Sequence, residues 1–195
     1  SKISEKDIIY TWSGVRALLA NEKKDAKALS RDYSYETHLK PAPSVTIYGG
    51  KITTYRQLAE EVINQLQKIF PHMGPSNTAT TPLPGAFYEQ MNFEQYVHYA
   101  KEKYKWLDTD LLNRYLQTYG SRIELFLSSC TNKESLGKKY CTNLYQAEVD
   151  YLILEEWAQN CDDILKRRTK LDLVIDETGK KELSNYLSRV TSYHS

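Results

Sequence analysis

The chain has 195 residues, of which 41% are hydrophobic and 26% are charged. This balance is typical of a folded globular protein and excludes wholesale disorder or a fibrous repeat. With 26 basic and 25 acidic side chains the formal net charge is +1. No overall field therefore attracts nucleic acid, and any anion site has to be local.

The patterns of cysteine, histidine and apolar residues argue against a disulfide framework, a metal site and a membrane-spanning helix. Cys130, Cys141 and Cys161 form no C-x-x-C pair, so we expect free thiols in a reducing compartment. The four histidines lack metal-ligand spacing, so no metal site is expected. No apolar run approaches the ~18 residues of a membrane-spanning helix, and the amino terminus is too polar for a signal peptide. Its strand-like start without methionine leads us to expect a piece of a longer protein.

Residues 7–48 are predicted to contain three strands. "DIIYTWSGVRALL", "SRDYSYETHL" and "SVTIY" are rich in Thr, Tyr, Val and Ile and are separated by charged or proline-containing breaks. In the second segment Asp32, Ser34 and Glu36 alternate with Tyr33 and Tyr35, which predicts a strand with one solvated face.

A glycine pair and a lysine, "GGKITT", connect the third strand to an amphipathic helix. Apolar residues recur on one face of that helix with a period of three to four. They are Tyr55, Leu58, Ala59, Val62, Ile63, Leu66, Ile69 and Phe70. Thr54 followed by Gln57 fits a capping box, which predicts that the helix begins directly beside Lys51.

The remaining chain is predicted to be a loop followed by helices. Residues 71–85 hold four prolines and form a connecting loop, and from residue 92 onward about five helices are expected. Gly120, Gly137 and Gly179 are interpreted as helix stops or gaps. The predicted fold is mainly α (α+β). A small β-like segment, the "GGKITT" loop and the long helix occupy residues 1–70, a linker follows at 71–91, and a helical carboxyl-terminal domain follows at 92–195.

Lys51 is the first candidate binding residue. A helix amino terminus presents unpaired N–H groups and a partial positive charge, and a lysine beside it adds a full charge and mobile donors. "GGKITT" therefore fits an anion site or the edge of a cofactor. The alternative is an ordinary strand-to-helix turn with a solvated lysine, and the residues alone leave both open. The spacing of a Walker motif is absent.

Two arginines and one charge cluster are further candidates. Arg16, flanked by apolar residues, and Arg31 can each bind a planar anion or form structural ion pairs. The cluster "CDDILKRRTKL" places acids four residues before bases, so Asp162–Lys166 and Asp163–Arg167 pairs are predicted on a solvated or domain-stapling helix face.

Several segments together resemble one family. "YTWSGVRALL", "SRDY", "TIYGGKITTYRQLAEEV", "PLPG", "YLQTYGS" and "QAEVDYLILEEWAQNCDDILKRRTKL" occur in the order seen in the carboxyl-terminal part of FAD-dependent, respiratory glycerol-3-phosphate dehydrogenases. The resemblance covers essentially the whole chain. It implies oxidation of glycerol 3-phosphate to dihydroxyacetone phosphate by hydride transfer to FAD, with electrons passed to a quinone.

The resemblance also implies site residues. Arg16, Arg31 and Lys51 resemble residues that bind the substrate, and Gly50, Lys51, Ile52, Thr53 and Thr54 resemble the loop and helix start that meet the pyrimidine edge of the flavin. There, a helix end and a lysine would stabilise the charge that hydride arrival leaves near N1 and C2=O. No catalytic residue is assigned to this chain, and no metal is implied.

Departures from the family pattern are small, but one element is missing. Ala17 and Ala86 stand where the family has proline and glycine, and Lys166 replaces an aromatic residue. No G-x-G-x-x-G fingerprint is present, so the main anchor of FAD is expected in an amino-terminal part outside this chain, together with the base that assists hydride transfer. We expect the chain alone to be colourless and inactive.

The resemblance further implies a bacterial enzyme associated peripherally with the cytoplasmic face of the plasma membrane, since no calcium-binding loop follows the last helix. A homodimer is a further option, and nucleic acid is not an expected partner. Two alternatives remain: a glycerol-phosphate oxidase that uses oxygen as acceptor, and a non-catalytic helical interaction module.

Overall fold

The computed structural model describes residues 3–15, 32–86 and 88–191. The chain divides into two compact units, Ser1–Thr81 and Pro82–Ser195. The described residues form six α-helices and two small antiparallel sheets, which confirms the predicted mainly α fold with a small β part. None of these helices combines the length and apolar character needed to cross a bilayer.

The first unit contains a β-hairpin and one helix. Strands β1 (Tyr33–His38) and β2 (Ser44–Gly49) pair antiparallel, and helix α1 spans Tyr55–Gln67. The half-buried rings of Tyr33 and Tyr35 carry the contacts to α1. The Tyr33 hydroxyl donates to Glu61 (2.8 Å), and the Gln65 amide donates to the Tyr35 hydroxyl (3.3 Å). The two strands and the solvated opposite face of β1 were therefore predicted correctly.

The strand predicted from residue 7 onward is wrong for the part that the structure describes. Glu5–Asp7 form a 3-10 turn, and residues 8–15 have no regular structure. Ile9 is 84% exposed and Trp12 is 83% exposed. A strand needs a partner for its backbone groups, and none of the described strands pairs with this segment. Its apolar residues match strand propensity, but propensity alone does not supply the missing pairing.

The described part of the first unit contains no fully buried side chain. The predicted apolar face of α1 exists, but Leu58, Val62, Ile63 and Leu66 are only half-buried. A two-stranded hairpin on one helix covers too little surface to form a closed core. The predicted loop at 71–85 contains neither helix nor strand.

The second unit is built from helices around one core. Its helices are α2 (Phe93–Lys103), α3 (Thr109–Tyr119), the short α4 (Glu124–Leu127), α5 (Gln146–Glu156) and α6 (Glu177–Thr191), and a small hairpin joins β3 (Lys139–Cys141) to β4 (Leu144–Tyr145). The expected five helices are confirmed, whereas the hairpin was not predicted. The largest fully buried side chains include Tyr96, Tyr104, Leu111, Tyr115, Ile123, Leu127, Leu152, Ile164 and Leu183.

A buried ion pair joins three of these elements. Glu148 on α5 is 0% exposed, and its carboxylate accepts two hydrogen bonds from the Arg114 guanidinium of α3, at 2.8 and 2.5 Å. Arg114 also donates to the carbonyl of Asn143 in the hairpin turn, and the Tyr119 hydroxyl donates to Glu148. Burial, followed by the nearby carboxylate, raises the pKa of Tyr119, so this hydroxyl remains a donor.

Two glycines allow the chain to cross itself at close range. Gly85 and Gly120 both have positive φ, and the Ser121 N–H donates to the Gly85 carbonyl at 2.9 Å. A Cβ on Gly120 would lie 2.1 Å from the Gly85 carbonyl oxygen, and one on Gly85 would lie 2.6 Å from that of Tyr119. The crossing brings "PLPG" and "YGS" together.

The predicted helix stops are confirmed at two of three glycines. Gly120 ends α3, and Gly137 ends a 3-10 turn, both with positive φ. Gly179 was wrongly interpreted, because it lies in the first turn of α6. A Cβ there would lie 2.2 Å from the Tyr140 carbonyl oxygen. The close approach of β3 explains this glycine.

The late charge cluster clamps the end of α5. The helix stops at Trp157, which adopts a left-handed conformation, and a π-helix follows at Asp163–Arg168. Asp163 accepts N–H groups of Gln159 (3.0 Å) and Asn160 (3.3 Å), and the Arg168 guanidinium donates to the Glu156 carbonyl.

The predicted i, i+4 ion pairs of this cluster are confirmed. Lys166 lies 2.9 Å from Asp162, and Arg167 lies 2.8 Å from Asp163. The side chain of Arg167 is largely exposed, whereas that of Arg168 is mostly buried against α5. One face of the cluster is thus solvated, and Arg168 holds the cluster against the end of α5.

Replacing Gly85 or Gly120 by alanine should lower the free energy of unfolding by more than about 2 kcal/mol, because each change forces an L-residue into positive φ and meets a carbonyl oxygen. Chemical denaturation of the two variants measures this loss. Gly74→Ala is the matched control, since no atom lies within 4 Å of a Cβ at Gly74, and it should change stability by less than about 0.5 kcal/mol. Equal stability of all three variants would contradict the crossing.

Asp163→Asn should destabilise the protein in a pH-dependent way. The backbone N–H of Gln159, opposed by desolvation and aided by the N–H of Asn160, holds the pKa of Asp163 below its usual value. A lowered folded pKa contributes stability above the unfolded pKa of ~3.9, and this stability is lost as the pH falls through the folded pKa. The variant should lose about 1 kcal/mol at pH 7.

This difference should shrink below about pH 4, as followed by urea denaturation at several pH values. Asp162→Asn, which removes an exposed pair, is the control and should cost less than about 0.5 kcal/mol. A loss at Asp163 that is constant from pH 7 to pH 3 would refute the electrostatic explanation.

Candidate functional site

The candidate site is the connection from β2 to α1. Gly49 (φ 70°) and Gly50 (φ 104°) turn the chain at the end of β2, and Lys51 returns to extended backbone. Ile52–Thr54 then form a 3-10 turn that runs into α1. Lys51 therefore lies directly before the helical segment, as the sequence predicted.

Gly50 is required by its backbone conformation. Residues with a Cβ rarely adopt a φ of 104°. Space is not the constraint, because a Cβ on Gly50 would meet only the Cβ of Tyr33 at an ordinary 3.5 Å. Gly50 is the single residue between the end of β2 and Lys51, and it turns the chain there.

The predicted capping box at Thr54 and Gln57 is wrong. The Thr54 hydroxyl donates backward to the Lys51 carbonyl at 3.0 Å, and the Gln57 amide donates to Glu61 at 3.0 Å. The extra 3-10 turn moves Thr54 from the start of the helical segment to its fourth residue, counted from Lys51. The first N–H groups of the segment, on Ile52 and Thr53, are those that a helix start leaves unpaired.

Lys51 forms an ion pair with Asp32. Its Nζ atom lies 2.9 Å from Oδ1 of Asp32, and the two side chains are 43% and 71% exposed. Strand register explains the pairing. Tyr33 lies opposite Gly49, so Asp32 and Lys51 extend from the same end of the hairpin. Sequence reasoning assigned Asp32 only to the solvated face of β1, although pairing the strands residue by residue would have placed it near Lys51.

This arrangement can bind an anion without losing its own ion pair. An ammonium has three N–H donors, and Asp32 engages Lys51 through one pair of atoms. An exposed pair of this kind is worth less than about 1 kcal/mol, so a ligand can share or redirect the lysine. The backbone N–H groups of Ile52 and Thr53 add donors beside it.

The predicted substrate-binding residues lie only partly within the described structure. Lys51 and the cofactor-binding candidates Gly50, Ile52, Thr53 and Thr54 are all in the loop. Arg16 and Arg31 lie outside the described residues, so their predicted roles stay predictions. The cysteines 130, 141 and 161 are free thiols, as expected.

Sequence reasoning also missed a polar cluster in the second unit. Glu124 accepts the hydroxyls of Tyr96 (3.0 Å) and Tyr104 (2.7 Å), and the Lys103 ammonium at 2.6 Å. The Lys103 ammonium also lies 5.3 Å from the ring centroids of Tyr99 and Tyr104. The 16 tyrosines of the sequence hinted at such half-polar packing without identifying its partners. The two hydroxyls and the ammonium all converge on the Glu124 carboxylate, which indicates a structural role.

Comparison with known proteins gives several related enzymes. A glycerol-3-phosphate dehydrogenase of Pseudomonas aeruginosa is 39% identical over 189 residues, which cover 95% of this chain and 36% of the relative. An aerobic glycerol-3-phosphate dehydrogenase of Escherichia coli is 34% identical over 192 residues, which cover 97% of this chain and 38% of the relative. A D-erythritol 1-phosphate dehydrogenase of Brucella abortus is 36% identical over 180 residues, covering 92% and 36%. The chain thus spans little more than a third of the length of these relatives.

A family model also matches the chain over residues 76–192, which include most of the second unit. The model describes the C-terminal domain of alpha-glycerophosphate oxidase. This match and the relatives confirm the family resemblance predicted from the motifs. The chain therefore belongs to the family of the C-terminal domain of alpha-glycerophosphate oxidase.

Proposed function

We propose that the chain is the carboxyl-terminal part of a flavoenzyme that oxidises glycerol 3-phosphate to dihydroxyacetone phosphate. The observation that carries this proposal is the similarity of nearly the whole chain to glycerol-3-phosphate dehydrogenases, combined with a lysine held at the start of a helix. The reaction removes hydrogen from a secondary alcohol beside a phosphate ester. It therefore needs a hydride acceptor and a site for a dianion.

The loop has the donors that such ligands need. Lys51 and the N–H groups of Ile52 and Thr53 form a positive, donor-rich edge, and the chain turns at Gly50 without a side chain. These residues fit the electron-rich edge of a flavin or an anionic substrate. FAD, when bound, supplies the hydride acceptor. In this proposal residues 50–54 hold its pyrimidine edge.

Lys51 also belongs to the proposed substrate site. Together with Arg16 and Arg31 it binds the phosphate and orients the hydroxyl that reacts. Converging cations suit a phosphate dianion, because each adds a charge-assisted hydrogen bond. The main anchor of FAD and the base that accepts the hydroxyl proton are proposed to lie in the amino-terminal part of the longer protein, as in relatives nearly three times the length of this chain.

The open first unit supports a role as part of a larger assembly. Its described residues include no fully buried side chain, and Ile9, Trp12 and Ile52 are almost completely exposed. Large apolar side chains that are exposed to this degree fit a surface that other protein covers. We infer that the amino-terminal part of the longer protein covers them and completes the site around Lys51.

The acceptor and location complete the proposal. Electrons pass to a quinone, and the bacterial enzyme associates peripherally with the cytoplasmic face of the plasma membrane, alone or as a homodimer. Oxygen is the alternative acceptor, and it is supported by the family description, which names an oxidase. Oxygen consumption by the longer protein, with and without a soluble quinone, separates the two acceptors.

A second substrate is favoured by one comparison. The relative named D-erythritol 1-phosphate dehydrogenase is as similar to this chain as those named for glycerol 3-phosphate. Both substrates are polyol phosphates, so Lys51 can serve either one through the shared phosphate. The ratio of kcat/KM for the two compounds decides between them, since that ratio measures discrimination at the transition state.

Lys51→Met in the longer protein should lower kcat/KM for glycerol 3-phosphate by roughly 100-fold or more, because it removes a charged donor from the site. Steady-state kinetics measure the loss. Lys68→Met is the matched control, since Lys68 lies at the far end of α1, where it donates to Gln65. Activity that survives at Lys51→Met would remove the loop from the proposed site.

The 195-residue chain on its own should be colourless and unable to oxidise glycerol 3-phosphate, because it lacks a glycine fingerprint for the FAD pyrophosphate. The visible spectrum of the purified chain and a dye-reduction assay check both statements. After incubation with FAD and removal of the unbound FAD, the chain should still show no flavin absorbance and no turnover. A yellow preparation with turnover would show that this chain contains a complete site.

A further inference from the structure

We propose that Asp32 is a positioning residue that holds the Lys51 ammonium at the mouth of α1. The inference rests on the proposed function, because Lys51 is assigned there to substrate and cofactor. It adds Asp32 to that site as a residue that acts through Lys51. The observation behind it is the 2.9 Å contact between Oδ1 of Asp32 and Nζ of Lys51.

The hairpin fixes where the two side chains meet. The register runs from His38 opposite Ser44 to Tyr33 opposite Gly49. Asp32 precedes the last pair, and Lys51 comes two residues after it. Neighbouring strands lie about 4.8 Å apart, which places groups at this end within reach of one another. The pairing therefore follows from strand register rather than from a chance approach of a long lysine side chain.

The backbone at both partners is also tied to the helical segment through neighbouring residues. The Tyr33 hydroxyl and the Gln57 amide both donate to Oε1 of Glu61, at 2.8 and 3.0 Å, and they tie β1 to the first turns of the helix. On the other side, the Thr54 hydroxyl binds the Lys51 carbonyl. Asp32, next to Tyr33, is thus placed relative to the helix start, and so is the backbone of Lys51.

The chemistry favours a functional role for this contact over a stabilising one. A lysine side chain has four rotatable bonds, and one fixed hydrogen bond restricts where its remaining N–H donors point. Asp32 also balances the lysine charge before an anion arrives. Because the Lys51 side chain is almost half exposed and that of Asp32 is largely exposed, water screens the pair, and it adds little to folding stability. Removing the carboxylate should therefore affect binding and rate while leaving stability almost unchanged.

The first experiment is a double-mutant cycle in the longer flavoprotein, with Asp32→Asn, Lys51→Gln and the double variant. Asp32→Asn should lower kcat/KM for glycerol 3-phosphate between about 10-fold and 100-fold, the usual effect of misplacing a group in a site. In the Lys51→Gln background the same change should matter less than about twofold. Asp32→Glu should recover part of the loss.

Glu36→Gln is the matched control, because Glu36 is another exposed carboxylate of β1 that lies away from Lys51. It should leave kcat/KM unchanged. All variants should melt within about 2 °C of the parent, as expected for exposed pairs. A loss at Asp32→Asn that persists undiminished in the Lys51→Gln background, or that comes with a large fall in melting temperature, would overturn the inference.

A readout without turnover tests the same contact. In the ¹⁵N-labelled 195-residue chain, hydrogen exchange of the Lys51 ammonium should be severalfold faster in Asp32→Asn than in the parent, and Glu36→Gln should have no effect. Equal exchange in all three would refute the proposal. An inactive parent enzyme would instead refute the proposed function, and the exchange measurement would still decide the role of Asp32.

Discussion

The second unit depends on one buried charge. Among the described residues Glu148 is the only charged side chain that is fully buried, and its partners Arg114 and Tyr119 both come from α3. Arg114 in turn donates to the Asn143 carbonyl in the turn of the small hairpin. A carboxylate without partners at this depth would cost several kcal/mol. The helices and the hairpin can therefore pack around it only in the arrangement that brings Arg114 and Tyr119 to its oxygens. The apolar core supplies most of the stability, and the ion pair selects the register in which that core closes.

The closed core and the candidate site lie in different units. The second has a closed core of tyrosines and leucines and a carboxylate whose hydrogen bonds are made within the unit. The first has the candidate site but no fully buried side chain in its described residues. An open site of this kind is exposed to water, which weakens every electrostatic contact in it. The Lys51–Asp32 pair is thus a geometric arrangement whose electrostatic effect becomes large only when other protein surface covers it.

Local patterns predicted what local physics controls. Strand alternation at 33–37, the helix after "GGKITT" and the i, i+4 ion pairs at 162–167 depend on neighbours in sequence, and the structure has all of them. The capping box at Thr54 failed through local competition, because the Thr54 hydroxyl donates to the Lys51 carbonyl and the Gln57 amide donates to Glu61. Asn92 and Gln95 form a capping box that was not predicted. The roles of Asp32, Glu148 and Gly179 could not be predicted, because their partners are far away in the chain.

The contact between Gly85 and Gly120 affects how this family can diverge. A Cβ on Gly120 would collide with the Gly85 carbonyl, and a Cβ on Gly85 would collide with the Tyr119 carbonyl that directly precedes Gly120. A side chain at one position can be accommodated only if the backbone moves at the other. A single substitution at either glycine should therefore give an unstable protein. The two glycines are therefore coupled positions, although they lie in different motifs. Relatives should keep both or have replaced the whole crossing, and this pattern makes the pair a better marker of the shared architecture than either motif by itself.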